Sequence, residues 1–279
     1  MKLNSGLTIL IVLVFIQSGI AQSPAIIIRE MVESAARLEG FTAEITKEER
    51  IDGKIIKQIT AVKLIRQPYQ VYLNQRFPKE GVEILCRRDS DRPLINPNSF
   101  PWFNLSLDPY GSLMRRNQHH TVFDSGFDLM SNILSRELNR IGNDTASHIF
   151  YKGMIDWQGK PAYHIELANP DYHYTTYQVK SGEDLNTIAR KLNISEYAIL
   201  EINEEVDFFD DVSAGQELQV PSRYAKKMVL YIDKEYMLPL VIKVYDGKGL
   251  FEQYAYKKFV LNPTFEKGEF TSEYKDYGF

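Results

Sequence analysis

A single cysteine, Cys86, in a chain of 279 residues excludes an internal disulfide and a thiolate cage, so the fold has to rest on a hydrophobic core. Positive charge is also short: 33 Lys and Arg against 37 Asp and Glu leave a net charge of −4. Phosphate backbones demand a basic face, and its absence excludes nucleic acid as a partner. Beyond the N-terminus no apolar run approaches the length of a bilayer span, so no integral membrane segment is expected in the processed chain. Catalytic signatures are missing as well. There is no GxSxG elbow, no P-loop, no GxGxxG and no HExxH-like spacing, and nothing calls for a cofactor. A hydrolase working through scattered Asp and Glu would leave no such signature, so that alternative stays open beside a reading without catalytic residues.

What is present starts at the N-terminus. MKLNSGLTILIVLVFIQSGIAQS places Lys2 ahead of an apolar run from Leu7 to Ile16 and ends in Gly19-Ile20-Ala21, the pattern of a secretory signal peptide over residues 1–21. A lipid-anchored precursor would need cysteine at the new terminus, where Gln22 stands. A soluble secreted protein, in the periplasm, is the expectation.

Ser23-Pro24 followed by Ile27, Met31, Val32, Ala35 and Leu38 predicts a helix from Pro24 to Glu39. Four antiparallel strands follow, Phe41 to Ile51, Ile55 to Arg66, Tyr69 to Arg76 and Val82 to Arg87, the first pair turning at Asp52-Gly53. Arg92 to Pro109 reads as a long irregular loop. Its Phe100, Trp102 and Phe103 would cover an open sheet edge, or else form a cavity lid. Helices are expected at Tyr110 to Asn117 and Phe127 to Ile141, then strands at Ile149 to Trp157, Ala162 to Leu167, Met228 to Ile232, Leu238 to Tyr245 and Leu250 to Leu261.

Between these last groups the pattern changes. Leu185, Ile188, Ala189 and Leu192 form one helical stripe, Ser195 caps a second helix bearing Tyr197, Ile199 and Ile202, and strand-like alternation brackets the pair at Tyr177 to Val179 and Gln216 to Val220. The charge changes too: Tyr174 to Pro221 holds ten acidic residues against three basic ones, a net of −7. Tyr177, Val179, Gly182, Leu185, Ile188, Ala189, Ile199, Asn203, Gly215, Gln216, Leu218, Val220 and Pro221 resemble the lysin motif, LysM, along its whole length. The resemblance implies two helices on a two-stranded sheet and a shallow groove for peptidoglycan or another N-acetylglucosamine glycan. The groove would lie between Ser181, Gly182, Glu183 and Asp184 on one side and Asn203, Glu204, Glu205 and Val206 on the other. Asp184 departs from the Ser or Thr common in that family.

The remaining chain, in "EGFTAEITKEERIDGKIIK", "RQPYQVYL" and "YIDKEYMLPLVIKVYDGKGLFEQYAYKKFVLNPTF", resembles the LolA- and LolB-like lipoprotein carriers, in a branch of unknown function. That implies an α+β fold: a strongly curved antiparallel sheet, an incomplete β-barrel, with helices on its concave side and the small βααβ module inserted. The domains expected are 22–172 with 226–279, interrupted by 173–225. Such a sheet can hold an acyl chain of a lipid or lipoprotein, with Ile59, Leu64, Val71, Leu73, Ile165 and Val241 as lining candidates and ordinary core packing as the alternative for each.

Two further clusters invite metal readings. His119-His120 with Asp124 lacks the spacing of a known metal motif, and Glu204, Glu205, Asp207, Asp210 and Asp211 lack the alternation and central glycine of a calcium loop. No metal site is therefore expected. The sequons at Asn104, Asn143 and Asn193 are read as incidental in a bacterial chain. The expected function is a cell-envelope protein whose LysM tethers a lipid-binding sheet to peptidoglycan; the alternatives are a protein-docking scaffold with a filled barrel and a cell-wall hydrolase with an unrecognised site.

Overall fold

In the computed structural model, which describes residues 23–87 and 90–279, eleven strands join in one antiparallel sheet and two more form a small sheet of their own. The expected signal peptide lies outside the described residues. Helix α1 (Pro24–Ala36) starts on a proline whose missing N–H costs nothing in a first turn, and buries Ile27, Ile28, Met31 and Ala35 along one face. Strands β1 (Gly40–Ile51) and β2 (Lys54–Ile65) turn at Asp52 and Gly53, both with positive φ, the turn whose twist suits a hairpin. They are followed by β3 (Gln70–Phe77), β4 (Glu83–Cys86), β5 (Leu94–Asn96) and β6 (Leu105–Ser106). Next come α2 (Ser112–Arg115), a 3-10 turn at Val122–Asp124, α3 (Asp128–Ile141) and α4 (Thr145–His148). Strands β7 (Ile149–Trp157) and β8 (Lys160–Ala168) precede the insert, which contains β9 (Tyr174–Gln178), α5 (Leu185–Leu192), α6 (Glu196–Ile202) and β10 (Glu217–Pro221). The chain closes with β11 (Lys227–Asp233), β12 (Pro239–Asp246) and β13 (Gly249–Leu261).

The order across the large sheet is β6-β5-β4-β3-β2-β1-β13-β12-β11-β8-β7, so the first strand lies beside the last. The sheet does not close; β6 and β7 are its edges. Register shifts between Thr42 and Glu44, Ile59 and Thr60, Tyr151 and Gly153, Tyr231 and Ile232, and Val244 and Tyr245 mark bulges, which bend and twist a sheet. Helices α1 and α3 pack on each other, and Ile28, Met31, Ile133, Leu134 and Leu138 join Phe41, Leu64, Ile165, Leu167 and Leu230 in one buried cluster. The expected α+β architecture, an open antiparallel sheet with helices and a separate small sheet, is what the structure has.

Several expectations change. The segment Arg92 to Pro109 is not wholly irregular, because β5 and β6 form within it. For the same reason Phe100, Trp102 and Phe103 do not cover the edge: the segment's own backbone occupies it, and these rings stand 82%, 82% and 65% exposed. The helix expected at Tyr110 to Asn117 shrinks to Ser112–Arg115, and α1 stops at Ala36. A tail beyond β13, unassigned by periodicity, brings Phe265, Phe270 and Tyr277 over Tyr72 and Leu85, with Tyr277 stacked on Tyr72 at 3.7 Å and 7°.

Candidate functional site

Strands β8 and β11 pair directly, Ala168 opposite Lys227, so the insert leaves and rejoins the sheet at one point. Inside it, Asp184 caps α5 by accepting Thr187 N at 2.6 Å, and Ser195 caps α6 through Ala198 N at 3.4 Å; such caps contribute about 1 kcal/mol each. Asp184, the departure from the family pattern, thus does the work a Ser or Thr would do there. Between the helices Asn193 takes the left-handed conformation that ends α5.

The loop before α5 and the loop after α6 meet through Leu185 N, which donates to Phe209 O at 2.8 Å. Of the groove residues expected from sequence, Ser181, Gly182, Glu204 and Glu205 are exposed, Glu183 and Asp184 half-buried, and Asn203 and Val206 buried. Gly182 has φ +80 with open space where a Cβ would stand, so it serves the backbone turn and leaves the surface bare. Glu183 accepts from Tyr177 Oη at 2.8 Å, Lys180 N at 3.0 Å and Lys191 Nζ at 2.9 Å. Lys191, then the Lys180 amide, hold its carboxyl down at about 2. The Asn203 amide is used up internally, donating to Ile199 O and Gln219 O and accepting from Gln219 N. Its place is that of a brace between α6 and β10.

The insert is clamped to the rest of the molecule by charged and aromatic contacts. Arg50 of β1 forks onto Glu201 of α6 at 2.8 and 2.9 Å and also holds Asp246. Arg115 donates to Asn186 at 3.0 Å and Glu196 at 3.2 Å, with its guanidinium 3.8 Å over the Phe209 ring. All of these side chains are at most 15% exposed among the ion-pair partners, where a broken pair costs far more than at a surface.

A cavity of about 310 Å³ lies on the concave side, between β1–β5 and the segment from Leu107 to Met130. Its apolar walls include Ile45, Val62, Leu73, Ile84, Leu129 and Met130. Of the expected lining residues only Leu73 lines it; Leu64 lines a smaller space of about 150 Å³ beneath Phe127. Strand parity explains the rest. Gln58, Thr60 and Val62 of β2 face the cavity, so Ile59 points the other way. Val241 pairs with Ala255, whereas its neighbour Ile242 pairs with the cavity-facing Tyr254, so Val241 also sits on the opposite face. Val71 and Ile165 face inward but are fully buried in packing.

One end of the cavity is polar, walled by Lys47, Glu49, His120 and Tyr254. Behind it lie His119 and Glu252, both with no exposed surface. His119 Nδ1 is 2.9 Å and His120 Nε2 3.0 Å from Glu252 Oε2, while His119 Nε2 is 2.9 Å from Arg50 O. Tyr224 donates to Glu252 Oε1 at 2.6 Å, and the Tyr254 hydroxyl stands 2.8 Å from Glu49 Oε1 and 3.1 Å from Glu252 Oε2. Burial alone would lower His120, but the Glu252 charge outweighs it and pushes the ring up to about 9. Glu252 moves oppositely: burial raises it, and His120 and His119 pull it well below the usual carboxylate range.

The sequence pointed to His119 and His120 but paired them with Asp124, which instead caps the 3-10 turn through Thr121 N and Oγ1 at 3.0 and 2.6 Å. Glu252, Glu49, Tyr224 and Tyr254 were missed. A signal for one of them, Glu49, existed: the inward face of β1 runs Phe41, Ala43, Ile45, then Lys47 and Glu49, charges where alternation calls for apolar residues. Among the described residues, His119, His120 and Glu252 are the group that could hold a metal ion; the acidic run at Glu204 to Asp211 is not gathered into one.

Comparison with known proteins gives two family matches. The family described as Protein of unknown function (DUF1571) matches residues 38–187, and a LysM domain matches residues 177–221. No curated protein sequence matches the chain. Similar solved structures include the lipoprotein LppX of Mycobacterium tuberculosis, 9% identical, covering 87% of this chain and 97% of that one at a TM-score of 0.42. The MucA/MucB complex of Pseudomonas aeruginosa is 11% identical, covering 89% of this chain and 60% of that one, TM-score 0.39. A LolA superfamily protein of Nitrosomonas europaea is 12% identical, covering 91% of this chain and 100% of that one, TM-score 0.34.

Proposed function

Since this chain belongs to the family described as Protein of unknown function (DUF1571), whose match spans more than half of it, and carries a LysM domain, we propose that it is a secreted, non-catalytic protein of the periplasm. In this reading the LysM holds it to peptidoglycan while the open sheet binds an acyl chain of a lipid or lipoprotein. The observation that carries the reading is the pairing of the two features in one body: an apolar-walled cavity of about 310 Å³ beside a glycan module clamped through Arg50 and Arg115. The volume falls at the lower end of ligand pockets, enough for one chain rather than several. A filled barrel, as the scaffold alternative requires, fits that space poorly.

The domain limits 22–172 with 226–279 and 173–225 belong to the same proposal. Glycan contact is assigned to the exposed Ser181, Gly182, Glu204 and Glu205 with the flanking Glu183 and Asp184, and Asn203 and Val206 shape the loop from within.

Because deletion of the insert would strip partners from two buried arginines, point changes in the full-length protein are the better test. Ser181→Trp fills the surface beside Gly182 and is expected to abolish co-sedimentation with purified peptidoglycan while leaving the thermal midpoint unchanged. Leu73→Trp fills the cavity, at a cost of about 1–3 kcal/mol, and is expected to remove lipid that mass spectrometry finds in the wild type. Pelleting untouched by Ser181→Trp, or a wild type purified from cells without any lipid, rejects the corresponding half.

A further inference from the structure

We propose that His119, His120 and Glu252 form a binding site for one divalent cation of the zinc class, at the inner end of the concave cavity. Their ligand atoms lie within 4.8 Å of one another. Both imidazoles converge on one carboxylate oxygen: His119 Nδ1 at 2.9 Å and His120 Nε2 at 3.0 Å from Glu252 Oε2. Donors about 2.1 Å from one tetrahedral ion lie about 3.4 Å apart, so each of these contacts has to open by about half an ångström for the ion to take its place. Small movements suffice to seat the ion.

The surrounding groups are those a metal centre needs. A ligating imidazole donates its other N–H to a carbonyl or carboxylate, which fixes the ring. His119 Nε2 faces Arg50 O at 2.9 Å, and the ring is held flat between Tyr197 at 4.4 Å and Phe251 at 4.2 Å. The second oxygen of Glu252 takes the Tyr224 hydroxyl at 2.6 Å. The His120 side chain is 9% exposed, and its other ring nitrogen, Nδ1, has the Glu196 carboxylate 3.9 Å away. Glu49 stands next to the cluster, its Oε2 accepting from His119 N at 3.2 Å and its charge adding to that of Glu252.

Donor chemistry selects the ion. Two imidazoles and one carboxylate suit zinc, cobalt or ferrous iron, whereas calcium and magnesium take all-oxygen sets. Water from the cavity end walled by His120, Glu49 and Tyr254 completes the coordination. The site joins β13 to the segment before the 3-10 turn, and through the His119–Tyr197 stack it reaches the LysM helix α6. The ion therefore stiffens the junction between sheet and insert.

The test uses the full-length protein, stripped with a chelator and titrated with Zn²⁺ against a chromophoric competitor, then with Co²⁺ for its visible d–d absorption. The expected result is one ion per chain, with affinity reduced at least tenfold in His120→Ala and in Glu252→Gln and unchanged in the exposed pair Glu204→Gln/Glu205→Gln. Circular dichroism shows whether each variant folds; the wild-type Co²⁺ spectrum decides the matter even where a variant does not. No saturable binding at micromolar Zn²⁺, or binding that both cluster variants retain, or binding lost only in the Glu204/Glu205 variant, overturns the proposal. Neither peptidoglycan nor lipid enters the measurement, so its failure is separate from failure of the tether reading.

Discussion

The ring of Tyr197, on the second helix of the LysM, lies parallel to the ring of His119, with centroids 4.4 Å apart and planes 17° apart. The Tyr197 hydroxyl also accepts from Asp52 N at 3.1 Å, at the tip of the β1–β2 hairpin. One side chain thus joins the LysM to a turn and to the buried histidine cluster at once.

Changing Tyr197 separates these roles. Tyr197→Phe keeps the stack and loses the hydrogen bond, at an expected cost of about 1 kcal/mol. Tyr197→Ala removes the stack and leaves a void, at about 3–5 kcal/mol. Urea unfolding midpoints measure both, and equal effects would mean that the ring contributes nothing.

Arg50 faces two carboxylates, Glu201 and Asp246, in a site where all three side chains are 8–9% exposed. Arg50→Met leaves both acids with Lys248 alone, whose ammonium stands 3.7 Å from Glu201 and whose amide donates to Asp246, and is expected to destabilise by about 3 kcal/mol, with faster hydrogen exchange in α6. Adding Glu201→Leu and Asp246→Leu removes the two buried carboxylates and should recover most of the loss. A triple variant no more stable than Arg50→Met would reject this account.

Acid sensitivity of the LysM should trace to Glu183. Its folded value, about 2, lies below its ordinary value of 4.5 because of Lys191 and the Lys180 amide. A lowered carboxylate contributes stability above the unfolded value and loses it as pH falls through the window from 4.5 toward 2. Glu183→Gln is expected to flatten the stability curve across that window, and NMR titration of Glu183 reads the shift directly.

Cys86 offers a chemical probe of the sheet. It is 3% exposed, and burial raises its thiol to about 12, so almost no thiolate exists at neutral pH. Native protein should resist a thiol reagent at pH 8 and react fully in denaturant. Fast labelling of the native state would show β4 opening from the sheet.

Much of the fold was legible because its signals are local. Asp52-Gly53 announces a hairpin, Ser23-Pro24 a helix start, and the LysM carries its caps within a few residues of its apolar stripe. Short elements escaped: β6 has two residues and α4 four, too few for any period to register. The candidate site was legible in part. His119 and His120 stood out, but Glu252 comes to them only through the β1–β13 pairing, which joins residues some two hundred positions apart. The lining residues Ile59 and Val241 failed for a related reason: an apolar residue in a strand does not reveal which face it serves until the register is known.

The insertion point has a mechanical meaning. Ala168 and Lys227 are paired neighbours, so a pull on the LysM would reach the sheet at the open end of two adjacent strands and unzip them one rung at a time, the weakest direction in which a ladder can be loaded. Arg50 and Arg115, gripping α5 and α6 from the flank, divert that load sideways, so a force applied to the insert is borne by the clamps before it reaches the ladder.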